Sequence, residues 1–151
     1  MTNDSLIQKI TVKLPDAQVK MGFEYVEVTL SADGAHDFLL KLRKDAEFDF
    51  DYLFCLTGAD FEDHLKVIYH LESTTHNHVI VVKVKTGDRI NPVVDSVDDI
   101  WPTAEPHENE VFDLLGVKFN NHPAPRRLFL DDEWGYPLRK DYKDDIHVVS
   151  R

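Results

Sequence analysis

The chain has 151 residues, 42% of them hydrophobic and 30% charged, and a formal net charge of −11. That length suits one domain with a real core, and the acidic balance argues against nucleic acid as its main partner. No apolar run approaches the roughly 20 residues of a membrane-spanning helix, and MTNDSLIQK lacks the basic and apolar regions of a signal peptide. A cytosolic chain without direct membrane insertion is expected, one that can still sit on a membrane complex.

Residues 9–14, KITVKL, alternate apolar and polar, which predicts a half-buried strand. A second strand is expected over 23–30, with Val26, Val28 and Leu30 on one face. Ser31 or Asp33 then serves as cap for a helix over 34–46, whose Ala35, Phe38, Leu39 and Leu42 fall at i, i+3, i+4 and i+7. In FDFDYLFCLTGAD, Phe48, Phe50, Tyr52, Phe54 and Leu56 share one parity, so a strand ended by Gly58 is the better reading. Cys55, the single cysteine, lies in this stretch and reads as a buried structural thiol, since low-pKa thiols need a cationic or helix-terminus setting. One cysteine excludes a disulfide framework and an iron–sulfur cluster held by this chain's own thiolates.

Residues 65–71 and 78–85 predict a hairpin turning at 72–77, with the β-branched run Val79 to Val84 as its second arm. Thr103 is expected to cap a helix over 104–115, with Pro106 tolerated in its first turn and Gly116 as its stop. Val111, Phe112 and Leu115 make a narrow apolar stripe. Glu108 shares that face, where a carboxylate either reaches the rim or meets a cation from further along the chain. The sum is an α+β fold. A mostly antiparallel or mixed sheet carries helices on one face, and an extended C-terminal segment follows. Residues 1–116 form the core and 117–151 the segment.

Charge is unevenly spread. Residues 1–116 carry 10 basic and 22 acidic groups, a net −12, while 117–151 carry 7 and 6, a net +1. Within the second part, His122 to Tyr142 (HPAPRRLFLDDEWGYPLRKDY) follows neither a helical nor a strand period. Such a segment is held by whatever its charges and rings touch. Arg126, Arg127, Arg139 and Lys140 face the acidic helix residues Glu108, Glu110 and Asp113 in the simplest pairing, since arginine forks match carboxylates well. Each charge has two readings: it ties the segment back to its own helix, or it pins a partner. For the segment as a whole a partner is favoured, because Trp134, Tyr136, Tyr142 and arginines are types enriched at interface centres.

Catalytic alternatives find little footing. There is no GxGxxG, P-loop or GxSxG. His36, His64, His70 and His147 have no acid or nucleophile at useful spacing. His76 and His78 are two apart and leave a metal-dependent hydrolase as a rival from another class, without a third ligand in view.

The stretch AEPHENEVFDLLGVKFNNHPAPRRLFLDDEWGYPLRKDY, with LTGAD and VIYHLES upstream, closely resembles the 30 kDa (C-type) subunit of respiratory complex I, the NADH-quinone oxidoreductase. The family pattern departs at Pro106 for Trp, Asn109 for Arg, Asn121 for Gly, Ala124-Pro125 for Asp-Leu, and a Trp134 shifted by one. The resemblance implies a non-catalytic hydrophilic subunit of the peripheral arm, on the cytoplasmic side of the membrane. It would hold no redox cofactor, scaffolding the large, hydrogenase-like D-type subunit that forms the quinone site. NADH, FMN, iron–sulfur clusters and quinone would belong to other subunits of a proton-pumping enzyme. Fusions of the C-type and D-type polypeptides occur in some bacteria, and 151 residues leave no room for that. The equivalent subunit of an energy-converting hydrogenase or formate hydrogenlyase-type complex is the alternative. On this reading Arg126, Arg127, Arg139 and Lys140 anchor the docking. Glu108, Glu110 and Asp113 orient them or meet partner cations. His122, Asp141 and Tyr142 complete the set.

Overall fold

The computed structural model describes residues 2–127, 129–130 and 134–142. The first element is a helix, α1 (Asn3–Lys13), where the alternation of 9–14 predicts a strand. Leu6, Ile10 and Leu14 recur every four residues and are buried, while Val12 is 80% exposed. Over six residues the two periods share Ile10 and Leu14; extending the window to Leu6 decides for the helix. Thr2 caps it, accepting from the Ser5 N–H at 3.1 Å.

A short edge strand, β1 (Gln18–Met21), then pairs antiparallel with β2 (Val26–Ser31). In β2 the expected Val26, Val28 and Leu30 are buried. Helix α2 (Ala35–Lys44) buries Ala35, Phe38, Leu39 and Leu42 as their spacing implies. Its start differs from expectation. Gly34, at φ 79°, occupies the cap position, and no side chain caps the helix. Ser31 instead accepts from the Asp33 N–H within the turn.

Strand β3 (Tyr52–Asp60) begins later than the aromatic parity suggests and runs through Gly58. Phe48 and Phe50 are buried but precede it. A bulge between Leu53 and Cys55 breaks the alternation. Leu53 and Leu56 therefore turn inward, and Tyr52 and Phe54 turn to solvent. Cys55, expected to be buried, is only half-buried for the same reason. The hairpin β4 (Leu65–Ser73) and β5 (His78–Lys85) is as expected. Beyond it, β6 (Val93–Asp95), helix α3 (Ala104–Leu115) and β7 (Lys118–Asn120) form a parallel crossover unit. Thr103 precedes α3 but does not cap it; its hydroxyl donates to Leu53 O at 3.1 Å and ties the helix start to β3.

The main sheet is mixed, in the order β1-β2-β5-β4-β3, with β2 and β5 parallel and the other neighbours antiparallel. Buried side chains of α1, α2 and α3 join one core with Val28, Val82, Tyr69 and Leu56 of the sheet. The helices thus cover one face. At Gly58 a β-carbon would come within 2.5 Å of Leu115 Cδ1, so this glycine lets α3 lie directly on β3.

Candidate docking site

Helix α3 has an unusual buried side. Glu108, Asn109 and Asp113 are 0%, 3% and 0% exposed, and burying such groups without partners would be costly. Each has its own partner, and two of the three hold the irregular segment after β7, here termed the strap.

Asp113 is the main anchor. Its carboxylate accepts from Arg127 Nε at 2.6 Å, the Phe129 N–H at 2.7 Å and the Leu130 N–H at 3.2 Å. Burial by itself would raise its pKa; the two backbone donors and the Arg127 guanidinium outweigh that and hold the carboxyl below its usual range. Arg127, with its side chain 10% exposed, spends its other donors on Trp134 O, Asp113 O and Gly135 O.

The C-terminal turn of α3 is covered next. Its last carbonyls lack partners within the helix, and the strap supplies them. Leu138 N–H donates to Leu114 O at 3.0 Å, and Arg139 Nε donates to Leu115 O at 2.6 Å. The positive guanidinium also suits the negative end of the helix dipole. Tyr136 sits between Arg127 and Arg139, 5.2 and 4.9 Å from their guanidinium carbons, with Phe112 beside it. Gly116, at φ 77°, ends the helix, and a β-carbon there would meet the Tyr136 ring at 2.6 Å and Arg139 Nη2 at 2.7 Å. The strap therefore rests on the terminal glycine itself.

Asn109 holds the strap's first part through its amide, donating to Ala124 O at 3.3 Å and accepting from the Arg126 N–H at 3.2 Å. His122 accepts from the Ala124 N–H on Nδ1 and faces Glu105 O with Nε2 at 3.1 Å, which fits a neutral ring protonated on Nε2. Asn121, where the resembled pattern has Gly, adopts φ 64°, a conformation asparagine tolerates.

A second anchor lies at the end of β3. Asp60 accepts a fork from Arg89 and the Lys140 N–H at 2.8 Å. Arg89 above all, opposed by burial and helped by the Lys140 and Glu62 N–H groups, holds the Asp60 carboxyl far below its usual range. Arg89 also reaches Asp141 at 3.1 Å. Tyr142 donates its N–H to Arg139 O, and its ring lies against Gly135.

The expected docking residues therefore fall into separate groups. Asp113, Arg127 and Arg139 meet at the end of α3. Lys140 and Asp141 meet Asp60 and Arg89. Arg126 uses its backbone on Asn109 and leaves its side chain exposed, Glu110 is half-buried on α3, and His122 lies at the helix's first turn. Glu108 neither reaches the rim nor meets a strap cation. It accepts from Ser96 Oγ at 2.6 Å and the Val97 N–H at 3.2 Å. Burial is the main cause that pushes its pKa up to about 7, against the lowering effect of those two donors and with help from Asp98 and Asp99. Tyr69, wholly buried nearby, has its hydroxyl raised by burial and by Glu108.

Facing outward from the strap are Phe129 and Leu138, 69% and 45% exposed, with the Arg126 and Lys140 side chains. His147 and the acidic run at 131–133 lie outside the described residues. His76 uses Nε2 on Ala46 O at 2.8 Å. No group of three histidine, cysteine or carboxylate side chains is placed to hold a metal among the described residues, and no helix there is long and apolar enough to cross a membrane. Asp60 and Arg89 have no place among the residues expected from the sequence, while Tyr136 is expected there only as a strap aromatic and Asn109 only as a departure from the resembled pattern. Asn109 carried the one usable signal, a polar amide on the helix face next to Glu108 and one turn before Asp113.

A family model for the respiratory-chain NADH dehydrogenase 30 kDa subunit matches residues 28–147. The fused C/D polypeptide of NADH-quinone oxidoreductase from Phocaeicola vulgatus is 47% identical over 124 residues, which cover 81% of this chain and 24% of that protein. The C-type polypeptide of the same oxidoreductase from Chloroherpeton thalassium is 45% identical over 105 residues, 68% of this chain and 43% of that one. The chain thus spans less than half the length of these relatives. Its counterpart from Moorella thermoacetica is 36% identical over 143 residues, 93% and 95% of the two chains. Among solved structures, a chain of the membrane-bound sulfane sulfur reductase, an archaeal respiratory membrane complex, superposes with a TM-score of 0.80 at 27% identity, covering 95% of this chain and 86% of that one.

Proposed function

Because the chain belongs to the respiratory-chain NADH dehydrogenase 30 kDa subunit family, we propose that it is a non-catalytic scaffold in the peripheral arm of a proton-pumping NADH-quinone oxidoreductase, docked on the large quinone-site subunit. The carrying observation is the strap. Arg127, Arg139 and several backbone groups are committed inward, which holds an irregular segment in one shape before any partner arrives. Preorganisation of this kind lowers the ordering cost of association. The exposed Phe129 and Leu138, flanked by the Arg126 and Lys140 side chains, are then the partner-facing set. Arg127, Arg139 and Asp113 hold the strap from beneath, exposed Asp141 pairs with Arg89, and His122, Tyr142 and Glu110 are secondary docking residues.

Electron donor, flavin, iron–sulfur clusters and quinone are assigned to other subunits. The complex sits on the cytoplasmic face of the membrane. The fused C/D name of the Phocaeicola vulgatus relative fits a partnership with a D-type polypeptide. The test is affinity capture of the tagged chain from membranes of its native host, with identification of every co-purifying subunit. A quinone-site large subunit with NADH-oxidising subunits supports the reading; capture of the chain without a large subunit overturns it.

A second reading has one observation behind it, the close fold match to a chain of the sulfane sulfur reductase. On that reading the chain serves a related membrane complex with another electron donor. The co-purifying subunits distinguish the two, since NADH-oxidising subunits are expected only on the first reading, and paired nickel-binding cysteines in the large subunit mark a hydrogenase-type assembly.

A further inference from the structure

The helices cover one face of the five-stranded sheet. The other face carries a distinct set of side chains. Among the described residues, strand register places Lys20, Lys66, Lys83 and Lys85 on it, with Glu27 and Glu72 as its carboxylates within the paired strands β1, β2, β4 and β5. Glu27 is already engaged by Lys83 at 3.3 Å and by Lys20 at 3.8 Å. A lysine-rich face stands out in a chain of net charge −11. At the opposite end of the face lie Tyr52 and Phe54, 47% and 37% exposed, with Phe54 against His70 at 5.7 Å.

A sheet face left to water ordinarily carries polar residues. Here half-buried Ile68 and Cys55 and exposed aromatics share the face with the cations, apolar and charged groups side by side as in protein interfaces. The face also adjoins the strap. The turn joining β3 to β4 holds Lys66 over the Phe61 ring at 4.8 Å, and the same turn receives the strap at Asp60 and Glu62.

We infer that this open sheet face is a second docking surface, and that its occupant is a neighbouring protein subunit of the same assembly that presents carboxylates to Lys66 and Lys85 and an apolar ridge to Tyr52 and Phe54. The inference rests on the scaffold reading above and extends it from one contact to two that share the β3–β4 turn. Complementary charge of this kind sets orientation and on-rate, and its contribution falls with salt.

The test is the double reversal Lys66→Glu with Lys85→Glu, expressed in place of the wild-type chain, beside Lys66→Arg with Lys85→Arg. Lys85 is exposed and Lys66 is half-buried on the open face, and neither joins the core, so the isolated reversed chain is expected to melt close to wild type. The readout is the amount of native complex retained on capture at rising salt, together with zero-length amine–carboxyl cross-linking of the wild-type complex. The expected result is a more than tenfold loss of assembled complex on reversal, recovery with the arginine pair, and cross-links from Lys66 or Lys85 to a carboxylate of another subunit. Wild-type yield for the reversed chain, or cross-links confined to this chain, overturns the inference while leaving the scaffold reading intact. Undiminished assembly with lost binding to phosphatidylglycerol vesicles overturns it in favour of a membrane-facing surface. A wild-type chain that captures no other subunit overturns both.

Discussion

Glu108→Gln isolates one buried carboxyl whose ionisation the fold resists. Glu108 is 0% exposed and has only two donors, Ser96 Oγ and the Val97 N–H, with no cation among the described residues. Its pKa rises from 4.5 to about 7 on folding. Between those values the folded chain binds more protons at this site than the unfolded chain, so stability falls as pH rises. At about 1.4 kcal/mol per pH unit of difference, the full effect is roughly 3 kcal/mol, present above pH 7 and absent below about 4.5. Glutamine keeps the shape and cannot ionise, although it accepts with one oxygen where glutamate accepts with two. Its stability relative to wild type is therefore expected to rise by roughly 2–3 kcal/mol between pH 5 and pH 8. Urea unfolding at pH 5, 6, 7 and 8 measures this directly. A difference between variant and wild type that stays flat across that range refutes the reasoning, whatever its sign.

Three further outcomes follow from the strap. Asp113→Ala strips the partner from a guanidinium that is 10% exposed; leaving a buried charge unpaired costs about 3–5 kcal/mol, but the strap can lift into water instead, so the expected result is rapid limited proteolysis within 126–142 with a smaller change in core melting. Unchanged protease resistance would show that Asp113 is no anchor. Gly116→Ala forces a side chain onto φ 77° and into the Tyr136 ring, with an expected loss of about 1–3 kcal/mol by denaturant unfolding; a neutral result contradicts the close contact. Phe129→Ser with Leu138→Ser changes only outward residues; the isolated chain is expected to melt like wild type while recovery of the assembled complex falls at least tenfold, and equal recovery removes these residues from the interface.

Much of the fold is legible in the sequence, and its failures have local causes. The periodicity of Ala35 to Leu42 and the β-branched run of 79–84 are long enough to exclude the other period, and both elements are where they were expected. At 9–14 the window is too short, and the deciding residue, Leu6, lies outside it. At 48–56 a bulge inverts the alternation, which no count of parity detects. The charged residues of the strap are legible as a group, and the direction each one faces is not. Arg127 and Arg139 turn inward because α3 offers a buried carboxylate and unpaired carbonyls at its end, while Glu108 turns away because Ser96 and Val97, some 12 residues upstream, reach it first. Asp60 and Arg89 are 29 residues apart in the chain, a separation at which pairing leaves no trace in a single sequence.

In the proposed scaffold, a strap shaped by its own chain serves as the seat for a larger subunit. Amide hydrogen exchange over 126–142 tests it, comparing the isolated chain with the captured native complex. Measurable protection is expected in the isolated chain at Arg126, Phe129, Leu130, Leu138 and Lys140, whose N–H groups are bonded internally, with at least a tenfold further slowing across the strap in the complex. A strap that exchanges equally fast in both states contradicts it.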